Sequence, residues 1–374
     1  MHHFIFSTKD AWISSGSSHI DGTSFKDQNF GQDPILEVKK EFWNKSFDYQ
    51  TRALIDFAGT EFNNMSSSVA NGTITKPKFY LKMYEANGNT DLTTTYTLAA
   101  QALSQSWDEG VGKFGDNPKT TNGVSWDYRD YFPGATATSW SNASNAQTYG
   151  GAVYSPPVSQ SEQSFSNESP DVEMDISDMV NGWISGSLSN HGLLLSFSGS
   201  QETDDQTFGQ LKFFSTQTHT IFQPRIEVRW DDHLPCTGSN TGSMTELTMS
   251  GQADNYLYAK HMKESYKETE KVKFRIGARK RYIQKSFSTS LQTISGSYIP
   301  EGSGSYSIID VATGESIVPF SDYTKLSCDA ESNYFIQWLN GFAPDRVYKI
   351  LYKIKYDDGQ EQIHDDDYEF IVRR

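Results

Sequence analysis

The sequence has 374 residues, of which 14% are aromatic, and a formal net charge of −15. This length allows two or three domains that each bury an apolar core. The acidic balance argues against a protein that wraps duplex nucleic acid, and no apolar run is long enough to span a membrane. Residues 1–7 lack the basic and apolar regions of a signal peptide. We therefore expect folding in the cytoplasm, without membrane insertion.

The composition predicts an all-β fold that rests on its apolar core. Gly, Ser, Thr and Asn are abundant, and no long stretch repeats apolar residues at helical spacing. The two cysteines, Cys236 and Cys328, are too few for a disulfide framework in a chain of this length. We therefore expect burial of apolar side chains, rather than covalent cross-links, to stabilise the fold.

Short segments rich in β-branched and aromatic residues predict the first strands. They lie at residues 4–13, 35–38, 51–57, 77–84 and 93–103. Apolar and polar side chains alternate in the fourth of these segments, as expected for a strand with one buried face. Loops and isolated strand-like residues follow up to position 170.

Residues 171–230 predict a strand, a short helix, a buried strand, an acidic loop and a closing strand. Ser177 is a candidate N-cap for the helix, and Gly186 is a candidate stop. Residues 193–197 are too apolar for a solvent-facing strand, which favours burial on both faces. We interpret the stretch as the closing half of a β-core, in which Trp183 anchors the helix to the sheet.

A segment rich in Pro, Gly, Ser and Thr marks the predicted domain boundary. It covers residues 233–244 and is predicted to link a domain at 1–232 to a second one at 245–374. The second domain contains short strands that alternate basic and apolar residues, such as 271–277. Several such strands in a domain of this size are typical of an immunoglobulin-like sandwich.

Ten short motifs occur in order along the first domain. They are DAWI at 10–13, NFG at 29–31, LEV at 36–38, RALIDF at 52–57, FYLKMY at 79–84, WDEG at 107–110, GVSW at 123–126, DISDMVNGW at 175–183, GLLL at 192–195 and PRIEV at 224–228. In this order the segment resembles the bacterial β-sandwich modules called DNRLRE domains and the related carbohydrate-binding modules of alginate-binding type. The resemblance implies a jelly-roll-like β-sandwich, but fold alone does not establish sugar binding.

A second resemblance concerns the whole chain. The segment 107–126, combined with a basic and aromatic C-terminal domain, is similar to virion structural proteins of large marine tailed phages. It implies a neck, collar, tail or baseplate component that is present in several copies and contacts other virion proteins. The expected function is a non-enzymatic structural protein located in the virion, with an exposed sandwich that contacts partners or host-surface glycans. The alternative is a carbohydrate-binding module.

The sequence contains no recognisable catalytic motif. It has no G-x-S-x-G, no H-E-x-x-H, no phosphate-binding loop and no zinc-spaced set of Cys and His. We therefore predict that the protein is not an enzyme and needs no cofactor. Two acidic loops, Asp108-Glu109 with Asp116 and Glu202 with Asp204-Asp205, offer hard oxygen ligands for calcium, although acidic loops are usually only solvated.

Aromatic residues in loops are the candidate ligand contacts. Exposed aromatic side chains stack on sugar rings or anchor protein partners. The candidates lie outside the family motifs and are Trp43, Tyr128, Tyr131, Phe132 and Trp140. Surface packing is the alternative interpretation for them. Trp12, Trp107, Trp126 and Trp183 lie within the motifs, which favours core packing.

A basic run at residues 260–285 is the candidate docking surface. It holds ten Lys and Arg against three Glu, whereas the excess negative charge of the chain lies almost entirely before residue 244. The residues predicted to dock are Lys271, Lys273, Arg275, Arg279, Lys280 and Arg281. An acidic protein neighbour, including a second copy of the chain, is the expected partner, and nucleic acid is less favoured in an acidic protein. The alternative is the solvated outward face of a strand.

Overall fold

A computed structural model shows an all-β protein, which confirms the predicted fold class. The structure describes residues 1–18, 20–43, 47–87, 95–141, 149–154, 160–166, 171–250, 254–282, 287, 289 and 296–374, without the side chains of residues 43, 47 and 48. Its backbone separates into two compact units. The N-terminal unit comprises Phe4–Thr73 and Lys78–Val228, and the C-terminal unit comprises Met1–His3, Ile74–Pro77 and Arg229–Arg374.

The strands up to residue 229 belong to an 11-stranded sheet and a small hairpin. They are β1 (His2–Ser14), β2 (Ile35–Trp43), β3 (Phe47–Phe57), β4 (Lys78–Met83), β5 (Glu85–Asn87), β6 (Thr95–Ala102), β7 (Tyr128–Asp130), β8 (Thr138–Ser139), β9 (Gln160–Ser166), β10 (Val172–Asp175), β11 (Leu193–Phe197), β12 (Gly209–Phe214) and β13 (Arg225–Arg229). Three helices accompany them, α1 (Gly59–Ala70), α2 (Ser177–Ser185) and α3 (Gly199–Thr203), with a 3₁₀ turn at Thr216–Thr218. The five strands predicted before residue 104 are confirmed as β1, β2, β3, β4 and β6.

The large sheet branches at β3. One edge of β3 pairs with β1 over residues 51–57. The other edge pairs first with β2, over residues 47–51, and then with β11, over residues 53–55. The path through β11 continues to β6 and β9, whereas the path through β2 continues to β12 and β5. The second path forms the surface that carries the candidate site.

The strand, helix, buried strand and closing strand predicted for residues 171–230 are confirmed, but the loop predicted before the closing strand contains α3 and β12. Strand β10 leads into helix α2, which ends at Gly186 in the left-handed conformation (φ 75°) that glycine adopts without steric cost. Strand β11 is buried along its whole length. Trp183 is buried, and its ring packs at 5.4 Å from Phe62 of α1. This contact joins two helices, whereas the sequence predicted an anchor between helix and sheet. Helix α1 was not predicted, because Phe62 and Met65 are its only buried residues.

The C-terminal unit is a two-sheet sandwich. Its strands are β14 (Thr245–Glu246), β15 (Asn255–Lys260), β16 (Ser265–Lys267), β17 (Lys271–Lys280), β18 (Ser297–Tyr298), β19 (Gly304–Asp310), β20 (Ser316–Val318), β21 (Ser327–Cys328), β22 (Asn333–Trp338), β23 (Val347–Lys355) and β24 (Glu361–Arg373). A six-stranded sheet contains β17 and β22, and a five-stranded sheet contains β19, β23 and β24. Rings from the two sheets meet in the core: Phe335 stacks on Tyr306 at 3.7 Å, and Phe274 lies 5.2 Å from Phe370.

The segment predicted as a linker, residues 233–244, is instead part of the C-terminal unit. Cys236 forms a disulfide bond with Cys328 across 92 residues, and its N–H donates to Glu301 Oε2 at 2.7 Å. Leu234 N–H donates to the Ser327 hydroxyl at 3.1 Å. The Pro, Gly and Ser content that favours a flexible linker also suits a segment with irregular backbone that is fixed by side-chain contacts. The unit is therefore cross-linked as well as core-packed.

Across the part of the chain that the structure describes, no helix has both the length and the apolar character needed to cross a membrane.

Candidate ligand-binding groove

The N-terminal unit carries a surface groove of about 460 Å³, which we call the sheet groove. Its floor is the outward face of β12, β2, β3 and β1, and its end wall comes from loops. The lining residues are Trp12, Ser14, Gly16, Ser17, Ser18, Ile20, Phe25, Asp33, Pro34, Ile35, Glu37, Lys39, Glu41, Tyr49, Thr51, Phe114, Gln210 and Lys212. Its volume falls within the range of roughly 300–1,000 Å³ that is usual for small-molecule sites.

Strand alternation produces the floor of the sheet groove. On β2, Leu36 and Val38 are fully buried and point into the core. The residues between and beyond them, Glu37, Lys39 and Glu41, therefore project from the opposite face, because successive side chains of a strand point to opposite sides. The same two-residue period that builds the core thus places a charged row on the outside.

The backbone register aligns a row of polar side chains across four strands. Gln210 of β12 lies opposite Lys39 of β2, and Lys39 lies opposite Thr51 of β3. Thr51 in turn lies opposite Ser14 of β1, and the Thr51 hydroxyl donates to the Ser14 hydroxyl at 3.1 Å. Neighbouring strands are about 4.8 Å apart, so the row places polar groups at regular intervals. Gln210 and Lys39 are half-buried, whereas Thr51 and Ser14 are buried.

Hydrogen bonds within the floor fix these polar groups in place. Lys39 Nζ pairs with Glu41 Oε1 at 2.8 Å, and Gln210 donates to Glu37. Burial raises the pKa of Glu37, and the lysines Lys39 and Lys212 act against this shift. Groups that are held by neighbours on a sheet present a preorganised surface to a ligand, which lowers the entropic cost of binding.

An aromatic wall closes one end of the sheet groove. The Trp12 indole stacks on the buried Phe30 ring at 3.7 Å, and Phe114 lies 6.1 Å from Trp12. Asp33 holds this wall together, because it accepts the Trp12 indole N–H at 2.9 Å and the Phe114 backbone N–H at 3.2 Å. Burial raises the pKa of Asp33. Phe114 is 58% exposed, so one aromatic side chain of the wall is open to a ligand.

The charges in the sheet groove nearly balance. Three carboxylates, Asp33, Glu37 and Glu41, face two ammonium groups, Lys39 and Lys212. Donors and acceptors alternate, and no excess of positive charge is present to attract a polyanion. The arrangement fits a neutral ligand with many hydroxyl groups better than a charged one.

The acidic groups predicted for calcium form other contacts. Among the residues that the structure describes, no group of three or more His, Cys, Asp or Glu side chains is positioned to hold a metal ion. Glu202 instead pairs with Arg52, at 2.7 Å to Nε. Asp108 Oδ1 accepts the Gly110 N–H at 3.0 Å. These contacts give both acidic loops a structural role.

Three of the five predicted contact aromatics lie close together, outside the sheet groove. Tyr128 and Tyr131 are half-buried, with ring centroids 5.6 Å apart, and the neighbouring Phe132 is 45% exposed. They lie in and beside the hairpin of β7 and β8. The side chain of Trp43 lies outside the described part of the chain. A contact role for these aromatics stays a prediction.

The prediction that Trp140 is an exposed contact residue is wrong. Trp140 is 0% exposed and belongs to a core cluster with Trp107 and Trp126. Its indole N–H donates to the Ser125 carbonyl at 3.0 Å. The polar residues around Trp140 in the sequence give no sign of this burial. The core roles predicted for Trp12, Trp107 and Trp126 are confirmed.

The basic strand β17 lies inside its sheet, between β15 and β22. Its outward cations have partners on neighbouring segments. Lys273 and Arg275 both pair with Asp329, at 2.9 and 2.8 Å, and Lys273 Nζ also lies 3.7 Å from the Tyr334 ring centroid. The remaining contacts are Lys271 with the Trp338 ring, Arg279 with the Tyr256 ring, and Arg281 with Asp254. The strand is therefore less positively charged at its surface than its sequence indicates, and docking there stays a prediction.

The sequence carries part of the signal for the sheet groove. In β12 the polar Gln210 and Lys212 alternate with the apolar Leu211 and Phe213, whereas in β2 the buried Lys40 interrupts the alternation. Local alternation therefore indicates an amphipathic segment at β12 and an interrupted one at β2. It does not show that the two strands are neighbours, since about 170 residues separate them in the sequence.

A scan against protein-family models matched no family, and a search of curated proteins found no match to this chain.

Proposed function

We propose that this chain is a non-enzymatic structural protein of a tailed-phage virion and that its N-terminal unit binds neutral sugars in the sheet groove. The virion role rests on the resemblance of residues 107–126 and the basic C-terminal segment to phage structural proteins. The observation that supports sugar binding is the preorganised row of alternating donors and acceptors beside an open aromatic wall.

The chemistry of sugars matches this groove in two respects. Each sugar hydroxyl both donates and accepts a hydrogen bond, so carboxylates, ammonium groups, amides and hydroxyls in alternation can satisfy several hydroxyls at once. The C–H face of a pyranose ring is apolar and packs against an aromatic side chain such as Phe114, which is exposed and held at its backbone by Asp33. A near-neutral floor favours uncharged sugars.

The partners of the groove carboxylates support binding rather than hydrolysis. Lys39 Nζ pairs with Glu41 Oε1 at 2.8 Å, and the Gln210 amide donates to Glu37. Asp33 accepts the Trp12 indole N–H and the Phe114 backbone N–H, so all three carboxylates hold neighbouring groups.

A glycan array tests the sugar-binding claim. We expect the full chain to bind neutral oligosaccharides and Phe114→Ala to weaken this binding about tenfold, as expected for the loss of an aromatic stacking contact. Phe287→Ala is the matched control, because Phe287 is an exposed phenylalanine that does not line the sheet groove. Equal weakening by both variants, or no binding to any neutral glycan, would contradict the proposal.

The alternative function is a carbohydrate-binding module without a virion role. The sheet groove supports it equally, since the groove requires no assembly partner. The two functions differ in where the protein is found, because only a structural protein co-purifies with intact particles in fixed stoichiometry.

A further inference from the structure

The C-terminal unit carries a second groove of about 480 Å³, which we call the basic groove. Cations dominate it: Arg229, Lys325, Lys353 and Lys355 line the groove, against the two carboxylates Asp322 and Glu361. The excess of two positive charges distinguishes it from the nearly balanced sheet groove. Its location in the other unit makes it independent of the sugar site proposed above.

The backbone register places a hydroxyl between two of these lysines. Ser305 of β19 lies opposite Lys353 of β23 on one side. On its other side Ser305 forms a β-bridge with Lys325, and Tyr306 N–H donates to the Thr324 carbonyl at 3.0 Å beside that bridge. Two strand spacings separate the lysine backbones, which is about 10 Å. Two flexible ammonium groups at this separation can both reach an anion that accepts a hydrogen bond from the Ser305 hydroxyl.

The positive charge of the basic groove is only partly neutralised. Lys353 Nζ pairs with Glu361 Oε2 at 3.2 Å and lies 5.2 Å from the Phe320 ring centroid. Among the described residues, Lys325 and Lys355 form no ion pair. By contrast, Lys273 and Arg275 on β17 both pair with Asp329. In the described part of the chain, the basic groove therefore carries two lysines without a carboxylate partner, whereas two central cations of the basic strand share one.

The size and lining of the basic groove indicate what it binds. Its volume is that of a small-molecule site, whereas a stable protein partner would require about 800 Å² of surface on each side. Phe320 and Tyr323 provide ring surfaces, and Ser303, Ser305 and Ser321 provide hydroxyls. We infer that the basic groove binds an anionic sugar unit, whose carboxylate, sulfate or phosphate group lies at Ser305 between Lys325 and Lys353. The rings then contact the apolar face of the sugar.

Calorimetric titration of the full chain tests this site. The probes are a trigalacturonate, a sulfated disaccharide and a sugar phosphate, which separate the three anionic groups, with maltotriose as the uncharged comparison. We expect at least one anionic probe to bind and Lys325→Gln to leave any binding of maltotriose unchanged, because only the anionic probes can form charge-assisted hydrogen bonds with the two lysines. Raising the salt concentration from about 50 to about 500 mM should weaken binding of the anionic probe, because the charges are screened.

Two lysine variants localise the binding. Lys325→Gln should weaken binding of the anionic probe about tenfold. Lys280→Gln, which changes an exposed lysine on β17, should leave this affinity unchanged. Phe114→Ala should also leave it unchanged, so failure of the sheet-groove proposal would be seen separately. The inference would be overturned if the two lysine variants had equal effects or if no anionic probe bound. Tighter binding of a single-stranded oligonucleotide than of any anionic sugar would also overturn it.

Discussion

Asp10 shows how a single residue of β1 combines burial with charge. Its side chain is 1% exposed, and Oδ2 accepts the Thr216 N–H at 2.9 Å. Glu109 Oε1 accepts the Asp10 backbone N–H at 3.2 Å, which brings a second carboxylate close. Burial, and to a smaller extent the charge of Glu109, raises the pKa of Asp10 from 3.8 to about 7. The motif residue Asp10 is thus a structural group that titrates near neutrality.

The raised pKa of Asp10 predicts a pH-dependent stability. The folded chain keeps a proton that the unfolded chain releases between about pH 4 and pH 7, so this contribution to the free energy of unfolding is full below about pH 4 and is lost as the pH rises through 7. Asp10→Asn removes the titration. Between about pH 5 and pH 8 the free energy of unfolding, measured with urea, should fall by about 2–3 kcal/mol more for the wild type than for the variant. Parallel pH profiles of the two proteins would contradict this assignment.

At the level of elements, the strands before residue 104 were predictable, apart from β5, and their neighbours were not. Strand β9 lies in a segment predicted as a loop, and so does β12, which pairs with the predicted strand β2. The sheet groove exists because β2 and β12 pair with each other, and this pairing is set by the folding of the whole unit. The same reason explains Trp140, whose burial depends on loops that are distant in the sequence. The sequence therefore predicted many of the strands, but not β9, β12 or helix α1, and it did not predict the site.

The segment 233–244 is an element whose role depends on one covalent bond. The Cys236–Cys328 disulfide closes a loop of 92 residues and ties the segment to β21. Loop-closure entropy suggests a stabilisation of up to about 4–5 kcal/mol for a loop of this size. In guanidinium unfolding, the double variant Cys236→Ala/Cys328→Ala should therefore have a lower midpoint than the oxidised wild type.

Reducing agent provides the control for that comparison. It should lower the unfolding midpoint of the wild type toward that of the double variant and leave the variant unchanged. A wild-type midpoint that is insensitive to reduction would show that the segment is held by its other contacts, such as the hydrogen bonds to Ser327 and Glu301.

On the scale of the whole molecule, two units present grooves of different charge. The sheet groove balances carboxylates with lysines, and the basic groove has an excess of cations. Composition predicted an acidic front half and a mixed C-terminal domain, but it could not show which basic residues have acidic partners. Both grooves are of small-molecule size, which suits a structural protein that also contacts surface sugars.

Immunogold electron microscopy of intact particles tests the central proposal most directly. If the proposal is correct, antibodies raised against the purified chain should label the outside of phage particles at a constant position in the neck, collar, tail or baseplate. The label should persist after particles are purified by density gradient. Unlabelled particles, together with the chain in the unassembled fraction only, would contradict a virion structural role and leave the sheet groove as that of a free carbohydrate-binding module.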